Sequence, residues 1–163
     1  MWRLMAILGG VGGAMALSQF PEFSQQYLQR LAGKVDALTA VAADFDGTAA
    51  KNGLTRDAAL AQLTGTQFST DHQADLRLTF AQLQTLSDNL ATLRAAPALM
   101  RLTMPQRLGD TETLQATWAD FQPALPTTPD GAITAGVGYV GGWTLVALVW
   151  RLLSWPFRRR RHA

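Results

Sequence analysis

The sequence predicts an all-α membrane protein in which two transmembrane helices flank a periplasmic antiparallel helical hairpin with short accessory helices. Three observations carry that prediction. A run of twenty residues without a charge, Gly131 to Trp150, lies near the C-terminus. A second apolar stretch, Leu4 to Leu17, lies near the N-terminus. Between them, two long segments carry apolar residues at alternating three- and four-residue spacing, the pattern of a helix that packs along one seam.

Composition bounds the chemistry. The chain has 163 residues, 48% of them hydrophobic and only 16% charged, with no cysteine and two histidines. Without cysteine there are no disulfides, no thiolate catalysis and no Cys-ligated zinc or iron–sulfur site. The net charge of +2 hides an asymmetry. Residues 22–130 hold all twelve acids against eight bases, a net charge of −4. The ends hold the remaining bases: Arg3, then Arg151, Arg158, Arg159, Arg160 and Arg161. A nucleic-acid binder spreads its bases along a face of the folded body, which this chain does not, so no nucleic-acid partner is expected.

The division expected is a first transmembrane helix in residues 1–21, a periplasmic hairpin domain in 22–129, a second transmembrane helix in 130–153 and a cytoplasmic polybasic tail in 154–163. Gly131–Trp150 spans roughly 30 Å as a helix, the thickness of a hydrocarbon core. Thr128 can cap its start, Pro129 suits a first helical position, and Asp130 complements the helix dipole. Trp150, Trp155 and Phe157 stand where an aromatic belt belongs. The first segment is diluted by four glycines. It also reads as a signal peptide, with Arg3 as its basic region and Ala14-Met15-Ala16 as a cleavage site. Retention is favoured by its small residues, which recur as a ladder: Ala6, Gly10, Ala14 and Ser18, with Gly9 and Gly13 alongside. The second segment carries its own ladder at Thr134, Gly138 and Gly142. Lipid gives helices no hydrophobic drive to associate, so small-residue faces are where they pack, on each other or on a partner. Arginines at the C-terminal end place both termini in the cytoplasm and the middle of the chain in the periplasm of a bacterial inner membrane. Arg158, Arg159, Arg160 and Arg161 can also meet anionic lipid headgroups, at about 1 kcal/mol for each charge.

In the middle segment, residues 22–47 read as one helix with the seam Leu28, Leu31, Val35, Leu38, Ala42 and Phe45. Lys51-Asn52-Gly53 is a candidate terminator, and Asp44 to Thr48 reads as a polar helix end. Thr55 caps a short helix, 56–63. Ser69 or Thr70 caps a long one running to Ala95, with the seam Leu76, Thr79, Leu83, Leu86, Leu90 and Leu93. Each long helix spans roughly 36–40 Å, and the matched seams predict an antiparallel coiled-coil hairpin. Residues 98–108 are short and amphipathic, interrupted by Pro105, and either lie at the membrane surface or close the hairpin base. A helix at 111–121 follows, then a stiff lead through Pro123, Pro126 and Pro129. Pro21 is expected to kink the chain where the first apolar segment ends.

Two motifs invite a catalytic reading. Asp44-Phe45-Asp46-Gly47-Thr48 resembles the first motif of haloacid-dehalogenase phosphatases, whose two carboxylates work at the carboxyl end of a buried strand. The residues before it have helical spacing, so this is a remote alternative at Asp44 and Asp46. Gly9-Gly10-Val11-Gly12-Gly13 lacks the Lys-Ser/Thr of a phosphate loop. His72 reads as a polar residue near a helix start. No catalytic residue, metal site or cofactor is expected.

Several strings resemble one family across nearly the whole chain. They are Ala16-Leu-Ser-Gln-Phe-Pro-Glu-Phe23, Gln25-Gln-Tyr-Leu-Gln-Arg-Leu31, Leu54-Thr-Arg56, Trp118-Ala-Asp-Phe-Gln-Pro123 and Trp155-Pro-Phe-Arg158. The sequence is similar to a group of small proteobacterial inner-membrane proteins of unknown function. That resemblance implies two membrane helices around a periplasmic helical domain, and no activity. Gln19, Phe20, Pro21, Glu22 and Phe23, at the membrane exit, form the candidate docking segment. The expected function is a non-enzymatic accessory or scaffold subunit of an inner-membrane complex, in contact with anionic lipid and another integral membrane protein. The alternative is a homo-oligomer that organises membrane or forms a pore.

Overall fold

The computed structural model describes residues 2–123 and 129–159, with side chains as far as Leu153. Every regular element among them is helical: α1 (Trp2–Ser18), α2 (Phe20–Lys51), α3 (Arg56–Ala61), α4 (Gln67–Ala95), α5 (Ala98–Arg101), a 3-10 turn (Pro105–Leu108), α6 (Thr111–Ala119) and α7 (Pro129–Arg159). The chain divides into two compact units. One holds the described residues of Met1–Gln25, Ala98–Thr103 and Asp120–Ala163; the other holds Gln26–Pro97 and Met104–Ala119. The boundary falls inside α2, and α5 groups with the apolar helices.

The first unit is built on α1 and α7; the helical stretch Trp2–Lys51, which opens with α1, and Pro129–Leu153 of α7 are long and apolar enough to cross a membrane. The backbones of α1 and α7 lie within 8 Å of each other. α1 is interrupted only at Gln19, and the Phe23 N–H donates to the Gln19 carbonyl at 2.9 Å, so helical pairing resumes at once. Pro21 is the second residue of α2, where its missing N–H has no intrahelical partner to lose. α7 continues to Arg159, past the boundary at 153 that hydropathy suggests. Thr128 and Pro126 lie outside the described residues.

The second unit is held by a leucine seam. Tyr27, Leu28, Leu31 and Val35 of α2 and Leu86, Leu90 and Leu93 of α4 form one buried cluster, with Leu38, Leu83, Met104 and Leu108 packed against it. Farther along, Phe45 meets Phe80 with ring centroids 5.4 Å apart. Rising numbers on α2 meet falling numbers on α4, so the two helices run antiparallel. Fully burying each leucine contributes about 2 kcal/mol. Leu28, Leu31, Val35, Leu38, Leu83, Leu86, Leu90 and Leu93 pack as the spacing predicts, Leu76 and Thr79 are only half-buried, and Tyr27 and Phe80 join the contact unpredicted.

The helix ends correct two expectations. Asp44 to Thr48 does not end α2, which runs four residues past Gly47. The terminator is Gly53 at φ +70°, where glycine has no Cβ penalty. The Leu54 N–H donates to Ala49 O and the Gly53 N–H to Ala50 O, both at 3.0 Å, which satisfies carbonyls of the last turn. Neither Ser69 nor Thr70 caps α4. Thr66 does, accepting from the Ser69 N–H at 3.1 Å, because the helix starts one turn earlier. Thr55 caps α3 as expected, accepting from the Ala58 N–H at 3.3 Å.

Candidate functional site: the glycine-packed helix pair

The α1/α7 contact is made of glycine. A Cβ placed on Gly13 would collide with the Gly138 carbonyl and come within 3.2 Å of Gly142 Cα. One on Gly138 would meet the Gly13 carbonyl and lie 3.0 Å from Ala14 Cα. One on Gly142 would strike the Gly9 carbonyl. Gly10 lies under the Tyr139 ring, whose edge atoms stand 2.8–2.9 Å from the same imaginary position. A Cβ on Gly9 would collide with Val146 Cγ2 and lie 3.3 Å from Val146 Cβ. Gly9 opposite Val146 and Gly13 opposite Gly138 make the pair antiparallel. Only glycine permits this backbone approach, which multiplies weak dispersion and Cα–H···O contacts along the helices.

The remaining ladder residues lie on the same faces. Ala6 and Thr134 are fully buried, Ser18 nearly so, and Ala14 half-buried. The two hydroxyls are satisfied within their own helices. Ser18 donates to Met15 O at 2.9 Å, and Thr134 reaches Asp130 O at 2.8 Å and Gly131 O at 2.9 Å. That local pairing lets a hydroxyl sit in a dry interface. The outward faces are apolar and exposed: Leu4, Leu8 and Met15 on α1, and Val137, Val140, Leu145 and Leu148 on α7. Gly12, Gly136 and Gly141 stand on outward positions with no atom near enough to touch a Cβ.

A polar collar lies at one end of the pair. Arg101, on α5, is only 8% exposed. Its Nη1 donates to Ser24 Oγ at 3.2 Å, and Ser24, fully buried, donates to Pro21 O at 2.9 Å. Burial lowers the affinity of the Arg101 guanidinium for its proton, an effect the charge of Asp130 opposes. Phe23 and Phe121 meet edge to face beside it, 5.5 Å between centroids. The candidate docking residues Gln19, Phe20, Pro21, Glu22 and Phe23 are therefore half-buried against their own chain. Arg101, like Tyr139 over Gly10, is a residue that sequence reasoning missed. A single arginine in a short amphipathic stretch gives no signal of burial until the fold closes around it.

The other candidates lie in the second unit, at the end of α7 or outside the described residues. Asp44 and Asp46 sit inside α2 rather than at a strand end. Asp46 is held by Arg56, whose Nε donates at 2.7 Å and whose second nitrogen donates to the other carboxylate oxygen, and this lowers the Asp46 pKa. Arg56 also lies 4.6 Å over the Phe80 ring. His72 stacks on exposed Phe68, 6.1 Å between centroids. Among the described residues no cluster of three His, Asp or Glu could hold a metal ion. Arg158 and Arg159 end the α7 backbone, and Arg160 and Arg161 lie outside the described residues.

One charged cluster stiffens the second unit. Lys34 reaches both oxygens of Asp110, at 3.0 and 3.2 Å, and Glu112 at 2.8 Å. Burial alone would raise the Asp110 carboxyl, but hydrogen bonds from Thr113 and Lys34 outweigh it and hold its pKa below the ordinary value. Burial likewise works against the Lys34 ammonium, and its two acidic partners overcome that and raise its pKa. Asp110 also anchors the start of α6, accepting from the Thr113 N–H at 3.1 Å. Tyr27 lies nearby, and burial pushes its pKa up.

Residues 1–159 match the family described as a protein of unknown function, DUF2937. The chain belongs to DUF2937. No curated protein and no solved structure matches it. Membership of DUF2937 accounts for the resemblance along the whole chain and carries no activity with it. Function has to be argued from the helix pair and its collar.

Proposed function

We propose that the protein is a non-enzymatic accessory or scaffold subunit of an inner-membrane protein complex. α1 and α7 cross the bilayer as a preformed pair, and the α2/α4 hairpin stands in the periplasm. The observation that carries this reading is the division of faces in the first unit. The inward faces are joined glycine to glycine. The outward faces expose many large apolar side chains, which water would penalise at about 25 cal/mol for each Å² and lipid or a membrane partner would accept. The arginines at the end of α7 favour a cytoplasmic C-terminus by the positive-inside bias, and their charge suits anionic headgroups.

The packing geometry sharpens where a partner belongs. The ladders at Gly9, Gly10, Gly13, Gly138 and Gly142 are occupied within the chain. A partner helix would approach the outward positions Gly12, Gly136 and Gly141. The phosphatase reading finds no support at Asp46, whose carboxylate is neutralised by Arg56 on a helix surface.

Native mass spectrometry of the assembly, extracted from its own membranes in mild detergent, tests the proposal. The expected result is a fixed stoichiometry with a different integral membrane protein. Recovery of the chain alone in a fixed multiple would replace it with the self-assembling reading. Recovery as a monomer would overturn both.

A further inference from the structure

We propose that Ala98–Thr103 is a membrane foot, whose exposed Met100 and Leu102 rest in the headgroup layer of the leaflet where α1 ends and α7 begins. The inference rests on the reading that α1 and α7 span the bilayer. Its partner is a phospholipid surface.

The depth of this segment is fixed by Arg101. That side chain is buried and donates to Ser24 Oγ at 3.2 Å, and α5 packs on α7. Ser24 lies three residues beyond residue 21, where the first membrane segment is expected to end, roughly 4–5 Å along the helix. Asp130, whose charge acts on Arg101, is in the first turn of α7, immediately before the uncharged run begins. Arg101, bonded to Ser24 at the start of α2 and carried on a helix that packs on α7, thus lies within roughly 5 Å of the hydrocarbon edge. The headgroup layer is roughly 5–8 Å thick on each side of the bilayer. Met100 and Leu102 flank Arg101 in sequence, so they lie at that level too.

Their exposure gives the segment its purpose. Met100 is 56% exposed and Leu102 40% exposed, whereas Ala98 and Leu99 are half-buried against the unit. Two aliphatic side chains facing outward at headgroup depth find an apolar phase within reach, as the apolar face of an interfacial helix does. The Phe23–Phe121 pair in the same unit supplies the aromatic surface that membrane interfaces favour. A lipid contact here would also explain why an arginine is buried in so short a helix: it locks the foot to the two helices that set its depth.

The chain has no cysteine, so single labels can be placed without background. Met100→Cys, Val140→Cys and Gln82→Cys would each carry a nitroxide in the full chain, reconstituted in vesicles of phosphatidylethanolamine and phosphatidylglycerol. Collision with oxygen is compared with collision with a water-soluble nickel chelate. The expected result is that the Met100 label favours oxygen over the chelate, at a depth shallower than Val140, while Gln82 favours the chelate. If Val140 favours oxygen and Met100 matches Gln82, the foot is wrong and the membrane reading stands. If Val140 itself favours the chelate, the membrane reading fails and takes the foot with it. A Met100 label shielded from both reagents would mean that protein covers it, which also overturns the proposal.

Discussion

The two long helix pairs of this chain solve the same packing problem with opposite residues. α1 and α7 meet through Gly9, Gly10, Gly13, Gly138 and Gly142, with backbones in direct contact. α2 and α4 meet through Leu28, Leu31, Leu86, Leu90 and Leu93, with few backbone positions within 8 Å. The outward faces differ in the same sense. Those of α1 and α7 are aliphatic; those of α2 and α4 are mostly polar and charged. In water, leucine burial drives association, and the bulk of the side chains holds the axes apart. In lipid that drive vanishes, and close backbone approach supplies the attraction. Each pair is therefore suited to a different solvent, and one continuous stretch of helix from Trp2 to Lys51, broken only at Gln19, takes part in both.

The strongest way to break the comparison is to exchange the residue logic. Gly13→Leu drives a side chain into the Gly138 backbone and should abolish the α1/α7 pair. Gly12→Leu, one residue away and facing open space, should leave thermal stability in detergent within about 0.5 kcal/mol of the parent. Equal effects at the two positions would remove the glycine account. In the second unit, Leu31→Ala removes a fully buried leucine and should cost about 2–5 kcal/mol in denaturant unfolding. It should leave the α1/α7 contact intact.

Smaller effects sharpen the aqueous side of the comparison. The Asp110 pKa is lowered on folding, so its contribution is present above its unfolded value near 4 and is lost as pH falls through the folded one. The Lys34 pKa is raised, so its contribution holds below its unfolded value and is lost only as pH climbs through the folded one. Asp110→Asn should therefore flatten the acid limb of a stability-versus-pH curve below about pH 4. Gly53→Ala should cost about 1 kcal/mol, because alanine resists the positive φ that ends α2. Asp46→Asn is expected to change least: a slight drop in melting temperature, and no phosphatase activity before or after.

Much of this fold is legible in the sequence because leucine seams and small-residue ladders both leave periodic marks. The seam from Leu28 to Phe45, the seam from Leu76 to Leu93 and the small-residue ladders can all be read from spacing alone. Helix ends are read less well. Ser69 and Thr70 look like caps, but Thr66 one turn earlier serves, since any of the three hydroxyls suits the role and tertiary packing chooses. Gly47 looks like a stop, yet α2 carries it through because the seam on either side outweighs the roughly 1 kcal/mol propensity cost of one glycine. The site is half legible. The glycines show in the sequence, which leaves open whether the ladders face each other, a partner or both. Arg101 and Tyr139 stay hidden, because what each does depends on partners 77 residues and more than a hundred residues away.

The most direct test of the central claim uses the cysteine-free chain again. In the structure a Cβ on Gly9 lies 3.3 Å from Val146 Cβ, close to the 3.5–4.5 Å range that a disulfide spans. A Gly9→Cys, Val146→Cys double variant, oxidised in its native membranes before any detergent is added, should close a bond within one chain, read as a monomer on a non-reducing gel whose intact mass has lost two hydrogens. Disulfide-linked dimers, or two free thiols after oxidation, would mean that α1 and α7 of one chain do not form this pair in the membrane, and the account would fall.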